Sequence, residues 1–165
     1  MKRTLGILFI VFISLVLIAG CTEEQPPGEE LKIGVVASMT GSASTTGKDI
    51  WQSAELAADE INADGGVYVA DLGKKVPIRL VQGDDESTRE GGQKAVSRMI
   101  TQDNVDILVG GFSSAVVSAH QQIVAEHKVP YIITGASTPI ITRRTDVDTT
   151  YMFHHAPTCD DSGSQ

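Results

Sequence analysis

From Leu31 onward the chain alternates between two kinds of apolar pattern, and this alternation constrains the fold more than any other feature. The run Leu31-Lys32-Ile33-Gly34-Val35-Val36-Ala37-Ser38 is short and β-rich and leads into Met39-Thr40-Gly41, a strand followed by a turn. Ile50, Ala54, Ala57 with Ala58, and Ile61 then recur at helical spacing. The period stops at Asp64-Gly65-Gly66, where glycine supplies the left-handed backbone a helix end needs. Residues 76–82 read as a second strand, preceded by a small ribbon at 67–69 and a Gly73-Lys74 turn. Ser87-Thr88-Arg89-Glu90 has the capping-box spacing and opens a second helix, with Ala95, Val96, Met99 and Ile100 turned inward. Residues 105–109 are the third strand. Val116, Val117, His120, Ile123 and Val124 mark a third helix, and residues 129–134 a fourth strand that tolerates Pro130 near its start.

Strands and helices in strict alternation are βαβ units, which build an α/β fold: a parallel sheet with helices on both faces. In such sheets ligands collect beyond the carboxyl ends of the strands. Here those ends read Ser38-Met39-Thr40-Gly41, Gly83-Asp84-Asp85, Gly110-Gly111-Phe112-Ser113-Ser114 and Thr134-Gly135-Ala136-Ser137-Thr138-Pro139. Three of the four are rich in glycine and small hydroxyl residues. Exposed backbone N–H groups beside a helix start favour a carboxylate or other small anion. Ser113-Ser114 can be a plain helix cap, but the hydroxyls of Ser137 and Thr138 on the next strand end are expected to face the same crevice.

Ahead of this domain, Met1-Lys2-Arg3 carries positive charge and residues 5–19 are almost unbroken Ile, Leu, Val and Phe. A run of about 15 residues is short of the roughly 20 a membrane-spanning helix needs, so residues 1–20 read as a cleaved signal peptide. Ile18-Ala19-Gly20-Cys21 looks like the prokaryotic lipobox, in which Cys21 is acylated and becomes the new N-terminus. That puts the mature chain outside the cytoplasm, on a membrane surface and held by acyl chains. Residues 21–30, with Pro26, Pro27 and Gly28, form a flexible tether. With Cys21 lipidated, Cys159 has no intrachain partner, and no disulfide framework is expected. The net charge of −8 disfavours a nucleic-acid partner, which needs a basic face.

Catalytic and metal readings are weaker. Gly111-Phe112-Ser113-Ser114-Ala115 lacks the second glycine of a nucleophile elbow, and no phosphate-binding glycine motif occurs, so no cofactor is expected. A serine hydrolase using Ser113 or Ser114 needs a base from His120 or His127, read as partly buried and surface histidines on the third helix. His154-His155 with Cys159-Asp160-Asp161 matches no common zinc spacing, and Asp84-Asp85-Glu86 reads as an acidic turn before a helix; no metal is expected. Trp51 can wall the crevice or merely pack.

An ordered series of motifs carries a family resemblance. Lys32-Ile33-Gly34-Val35 with Thr40-Gly41, the stretch from Ala57 to Val67, Asp84-Asp85-Glu86-Ser87, Ala95-Val96, and Val109-Gly110-Gly111 with Ser113-Ser114 resemble the branched-chain amino-acid-binding proteins. These are the extracellular solute receptors of ABC importers, with the type I periplasmic-binding fold. The resemblance runs from Leu31 to about Tyr151. It implies that residues 31–150 are a Rossmann-like N-terminal ligand-binding lobe and that residues 151–165 hold a hinge crossing and the truncated start of a second lobe. The implied ligand is a branched-chain or related amino acid, the implied partners are ABC permease subunits, and no catalysis is implied. Position by position, Ser114 resembles the serine that binds the head group, Ala136 the residue offering its backbone, and Thr138 the threonine that meets the α-carboxylate. Thr46 stands near the family's aromatic residue, and Glu86 and Ser113 stand near the cysteines that some members pair in this lobe. A sensor of amides, urea or another polar solute, and a nonfunctional truncated product, remain open as alternatives.

Overall fold

The structure, a computed structural model, describes residues 29–155 and 157–162. Its main sheet has five strands, β1 Leu31–Ala37, β4 Ile78–Asp84, β5 Ile107–Gly110, β6 Tyr131–Ile133 and β7 Met152–His154, in the order β4-β1-β5-β6-β7. All neighbours pair in parallel, so every strand points its carboxyl end to one rim. A separate antiparallel ribbon joins β2 Val67–Val69 to β3 Lys74–Val76. The helices are α1 Ser44–Ala63, α2 Arg89–Thr101, α3 Ser114–His127 and a short α4 Cys159–Ser162.

The core forms where α2 and α3 lie together across one face. Leu108, Tyr131, Ile133 and Met152 from the strands meet Val96, Met99, Val117 and Val124 from the helices, all of them buried. Each large side chain taken out of water there contributes roughly 1.5–3 kcal/mol. On the opposite face α1 packs against β1 and β4. Val35, Val109, Ile132 and Phe153 stand side by side in register on that face; Ile132 and Phe153 lie beyond α1 and are exposed. The open strip explains why the apolar stripe of α1 is only partly covered. Ala58 is buried and Ile50 and Ala54 are half-buried, whereas Ala57 and Ile61 are exposed rather than turned into a core.

Two local readings need correction. The second strand starts at Ile78, because Pro77 cannot donate a ladder bond and separates β3 from β4. The N-cap of α2 is Thr88, whose hydroxyl oxygen accepts from Gly91 N–H at 2.9 Å. Ser87 instead takes Ala43 N–H and donates to the Thr40 carbonyl, so no capping box forms with Glu90. Residues 151–165 add a fifth strand, β7, which pairs in parallel with β6. Cys21 and the signal and tether assignments up to residue 28 lie outside the described residues.

The path of the chain sets the site. From β1 it runs through α1 on one face to β4, then returns through α2 on the other face to β5 and on through α3 to β6. The connections leaving β1 and β5 therefore diverge to opposite faces. Their carboxyl ends border the crevice of a topological switch point.

Candidate functional site

The rim beside the switch point is assembled at one residue. Gly111 donates its N–H to Val36 O (2.8 Å), and its carbonyl accepts from Gly135 N–H (3.2 Å) and Ala136 N–H (2.9 Å). Thr134 N–H adds a bond to Gly110 O at 3.0 Å. These bonds lock the loop after β6 onto the loop after β5. Ser113-Ser114 and Ser137-Thr138 thus lie on neighbouring loops at one rim. Gly110 (φ 107°) and Gly111 (φ 79°) make the turn possible, since both sit in the left-handed region that favours glycine.

Ser113 is the N-cap of α3, with extended backbone (φ −84°, ψ 122°) and a carbonyl that takes Val116 and Val117 N–H. Its hydroxyl caps nothing. Thr138 is the N-cap of a 3-10 turn, Pro139–Thr142, and its hydroxyl caps nothing either. Among the described residues no hydrogen bond involves the hydroxyls of Ser113, Ser114, Thr138 or Thr46. Neither helical turn has an acidic residue at its start. The first N–H groups of α3 lack intrahelical acceptors and carry the positive end of the helix dipole. The arrangement is a set of free donors around a positive end, suited to a carboxylate.

The other expected site residues divide. Ala136 is buried and its N–H is spent on Gly111, so its carbonyl is the backbone group left to offer. Ser137 is exposed; its carbonyl takes Cys159 N–H at 2.9 Å and the Cys159 thiol at 3.1 Å, which fastens α4 to the rim. Thr46, on the first turn of α1, is across the crevice. It borders an apolar groove of about 690 Å³ with Ile50, Val109, Phe112, Thr134 and His155. Sequence reasoning missed Phe112 and His155 there; the signal available for Phe112 was a large ring set among glycines and serines, which the structure leaves 42% exposed. Trp51 is not on this crevice. It shares a shallow surface depression with Ile78 and Leu80 at the β4 edge.

The same chemistry is arranged differently at the ends of β1 and β4. Asp85 is fully buried; one oxygen accepts from the Ser38 hydroxyl (2.5 Å) and from Ser87 N–H (2.8 Å). Asp84 accepts from the Thr40 hydroxyl (2.8 Å) and from Glu86 N–H (2.9 Å). Desolvation pushes the Asp84 carboxyl upward, but the hydrogen bonds from Glu86 and Thr40 outweigh it and hold the group below the usual carboxylate range.

The histidines do not serve the serines. His120 is fully buried rather than partly so, and neither ring nitrogen has a hydrogen-bond partner among the described residues. Burial lowers its pKa to about 4. His127 is exposed in the last turn of α3, at the opposite end from Ser113. No group of three or more metal-binding side chains occurs among the described residues, and none of their helices is long and apolar enough to cross a membrane.

Comparison with known proteins adds an independent line. A family model described as "Periplasmic binding protein" matches residues 30–164. A Leu/Ile/Val-binding protein homolog from Brucella abortus is 33% identical over 115 residues, covering 70% of this chain and 29% of that protein. The branched-chain amino acid transporter substrate binding protein LivJ from Streptococcus pneumoniae, solved with isoleucine, superposes with TM-score 0.69 at 28% identity, covering 79% of this chain and 34% of that one. A solute binding protein from Rhodopseudomonas palustris, solved with 3,4-dihydroxy benzoic acid, has TM-score 0.64 at 26% identity over 78% of this chain and 32% of that one. The chain spans about a third of the length of the relatives it matches.

Proposed function

This chain belongs to the periplasmic binding protein family, and from that premise we propose that it supplies the N-terminal, carboxylate-holding lobe of an extracytoplasmic solute receptor. The receptor delivers a branched-chain or related amino acid to an ABC permease and performs no chemistry on it. Cys21 anchors it to the membrane through lipid. The observation that carries the reading is the set of unspent hydroxyls on Ser113, Ser114 and Thr138 around a helix start without an acidic residue. The α-carboxylate lies against Ser114 and Thr138, the Ala136 carbonyl faces the ammonium group, and the aliphatic side chain enters the groove beside Phe112 and Ile50. The Leu/Ile/Val-binding name of the Brucella relative and the isoleucine bound by the pneumococcal protein support this ligand class.

A second reading keeps the carboxylate and changes the rest. Thr46 is small and Phe112 offers an exposed ring, which suits a flat aromatic acid such as the dihydroxybenzoate bound by the Rhodopseudomonas protein.

Titration of the 15N-labelled chain with L-leucine, L-leucinol, 3,4-dihydroxybenzoate and urea separates these readings. A cradle on one lobe leaves the far side of a ligand in water, so affinity is expected near the millimolar range, roughly −4 kcal/mol. Leucine is expected to shift the Ser114, Ala115 and Thr138 amides and leucinol, without a carboxylate, to leave them in place. Equal responses to leucinol or urea defeat the carboxylate reading. Stronger binding of dihydroxybenzoate selects the aromatic one. Membrane anchoring is tested separately: growth with a labelled fatty acid should label the wild-type protein and leave Cys21→Ala unlabelled.

A further inference from the structure

We propose that Tyr131, braced by His120, is a positioning residue for the ligand cradle: its phenol props Gly111, the joint from which both hydroxyl loops hang. The functional half of this statement rests on the cradle reading above, while the structural half stands without it.

Tyr131 opens β6 in a strand that is otherwise isoleucine, and it is fully buried. Its ring runs beneath β5 toward the rim, so that a methyl group added at Gly111 would overlap the Tyr131 hydroxyl and come within 2.7 Å of Val117. Gly111 is where the loops after β5 and β6 and strand β1 are joined by three backbone hydrogen bonds. Anything that lets Gly111 sink therefore moves Ser113-Ser114 and Ala136–Thr138 relative to each other. A phenol suits the task because it is rigid and fills length that an aliphatic side chain cannot.

The prop is held from behind. The His120 ring is tilted 43° against Tyr131, with centroids 5.6 Å apart. Its Nδ1 lies 3.2 Å from where a Cβ on Gly92 would stand, and Asp85 Cβ lies 3.7 Å from that point, so α2, α3 and the end of β4 close around the pair. Burial, and after it the charge of Asp85, push the Tyr131 phenol above its ordinary range, which keeps it neutral. Tyr131 Oη and both His120 nitrogens make no hydrogen bond among the described residues; the pair acts by shape.

The test is amide hydrogen exchange on the free protein, paired with L-leucine titration. Tyr131→Leu is expected to speed exchange at the Gly135 and Ala136 amides at least tenfold and to weaken leucine at least fivefold. Tyr131→Phe keeps the ring but lacks the oxygen that reaches Gly111, and should fall between wild type and Tyr131→Leu in both readouts. Val124→Ala, a buried truncation on α3, the helix of His120, should leave both unchanged relative to its overall stability loss. Unchanged protection at Ala136 in Tyr131→Leu, or equal loosening by Val124→Ala, overturns the proposal. Should Tyr131→Leu fail to fold, Gly111→Ala replaces it: its loss of Ala136 protection should be smaller in the Tyr131→Phe background, where the overlapping oxygen is gone, and an equal loss in both backgrounds overturns the prop. If wild type binds neither leucine nor dihydroxybenzoate, the cradle reading falls, while the exchange data still decide the prop.

Discussion

At the carboxyl ends of β1 and β4, the hydroxyls of Ser38, Thr40, Ser87 and Thr88 all make hydrogen bonds inside the protein; at the ends of β5 and β6, those of Ser113, Ser114 and Thr138 make none among the described residues. Residue types barely differ between the two halves of the rim. What differs is the carboxylates: Asp84 and Asp85 in the first half take the Ser38 and Thr40 hydroxyls, and the loops of the second half contain no acidic residue to do so. The closed half thus displays, with the chain's own side chains, the contacts that the open half is suited to offer an external acid.

The largest expected effect tests what lies beneath both halves. His120 is held neutral in the folded state, with its pKa lowered from 6.5 to about 4 by burial. Because the unfolded chain takes the proton first, stability falls as pH drops from about 6.5 and the loss levels off near pH 4, at about 3 kcal/mol in all. Urea unfolding of wild type and His120→Leu at pH 7 and 4.5 checks it; the variant should lack this component. Acid also reaches Asp84, whose lowered pKa means its contribution is present at neutral pH and lost as pH falls through the folded value.

Next, Asp85→Ala should open the closed half. It leaves the buried Ser38 hydroxyl and the Ser87 N–H without their acceptor and should cost about 2 kcal/mol in the same assay. The open half should behave in the reverse way. Ser114→Ala and Thr138→Val are expected to leave stability within about 0.5 kcal/mol, since neither hydroxyl has a partner to lose, yet to weaken leucine about tenfold by NMR titration. The smallest contrast is the sharpest. Thr88→Ala should cost about 1 kcal/mol as a lost cap, and Ser113→Ala only a few tenths, as read by thermal unfolding. Equal costs at the two caps would erase the distinction between the halves.

Much of the fold was legible because it depends on short-range pattern. The β-rich runs and the helical periods located every strand of the sheet except β7, whose three residues carry too little pattern to separate a strand from a connection. The stripe on α1 was read correctly as apolar at helical spacing, but how much of it is buried depends on how many strands one helix can cover. Within the site, Ser113, Ser114 and Thr138 were visible as hydroxyls at strand ends. Phe112, Tyr131 and His120 were not recognised, because their roles arise from packing between elements distant in sequence.

The order of strands and helices, and hence the edge of the sheet where a ligand belongs, follows from periodicities of two and 3.6 residues that any stretch of ten or so residues displays. Whether a hydroxyl at that edge is spent or free does not follow. Thr88 and Ser113 look alike as helix caps, and Ser38 meets Asp85 across 47 residues of chain. A hydrogen bond is decided within a few tenths of an ångström, so only the folded packing could choose which donors remain for a ligand.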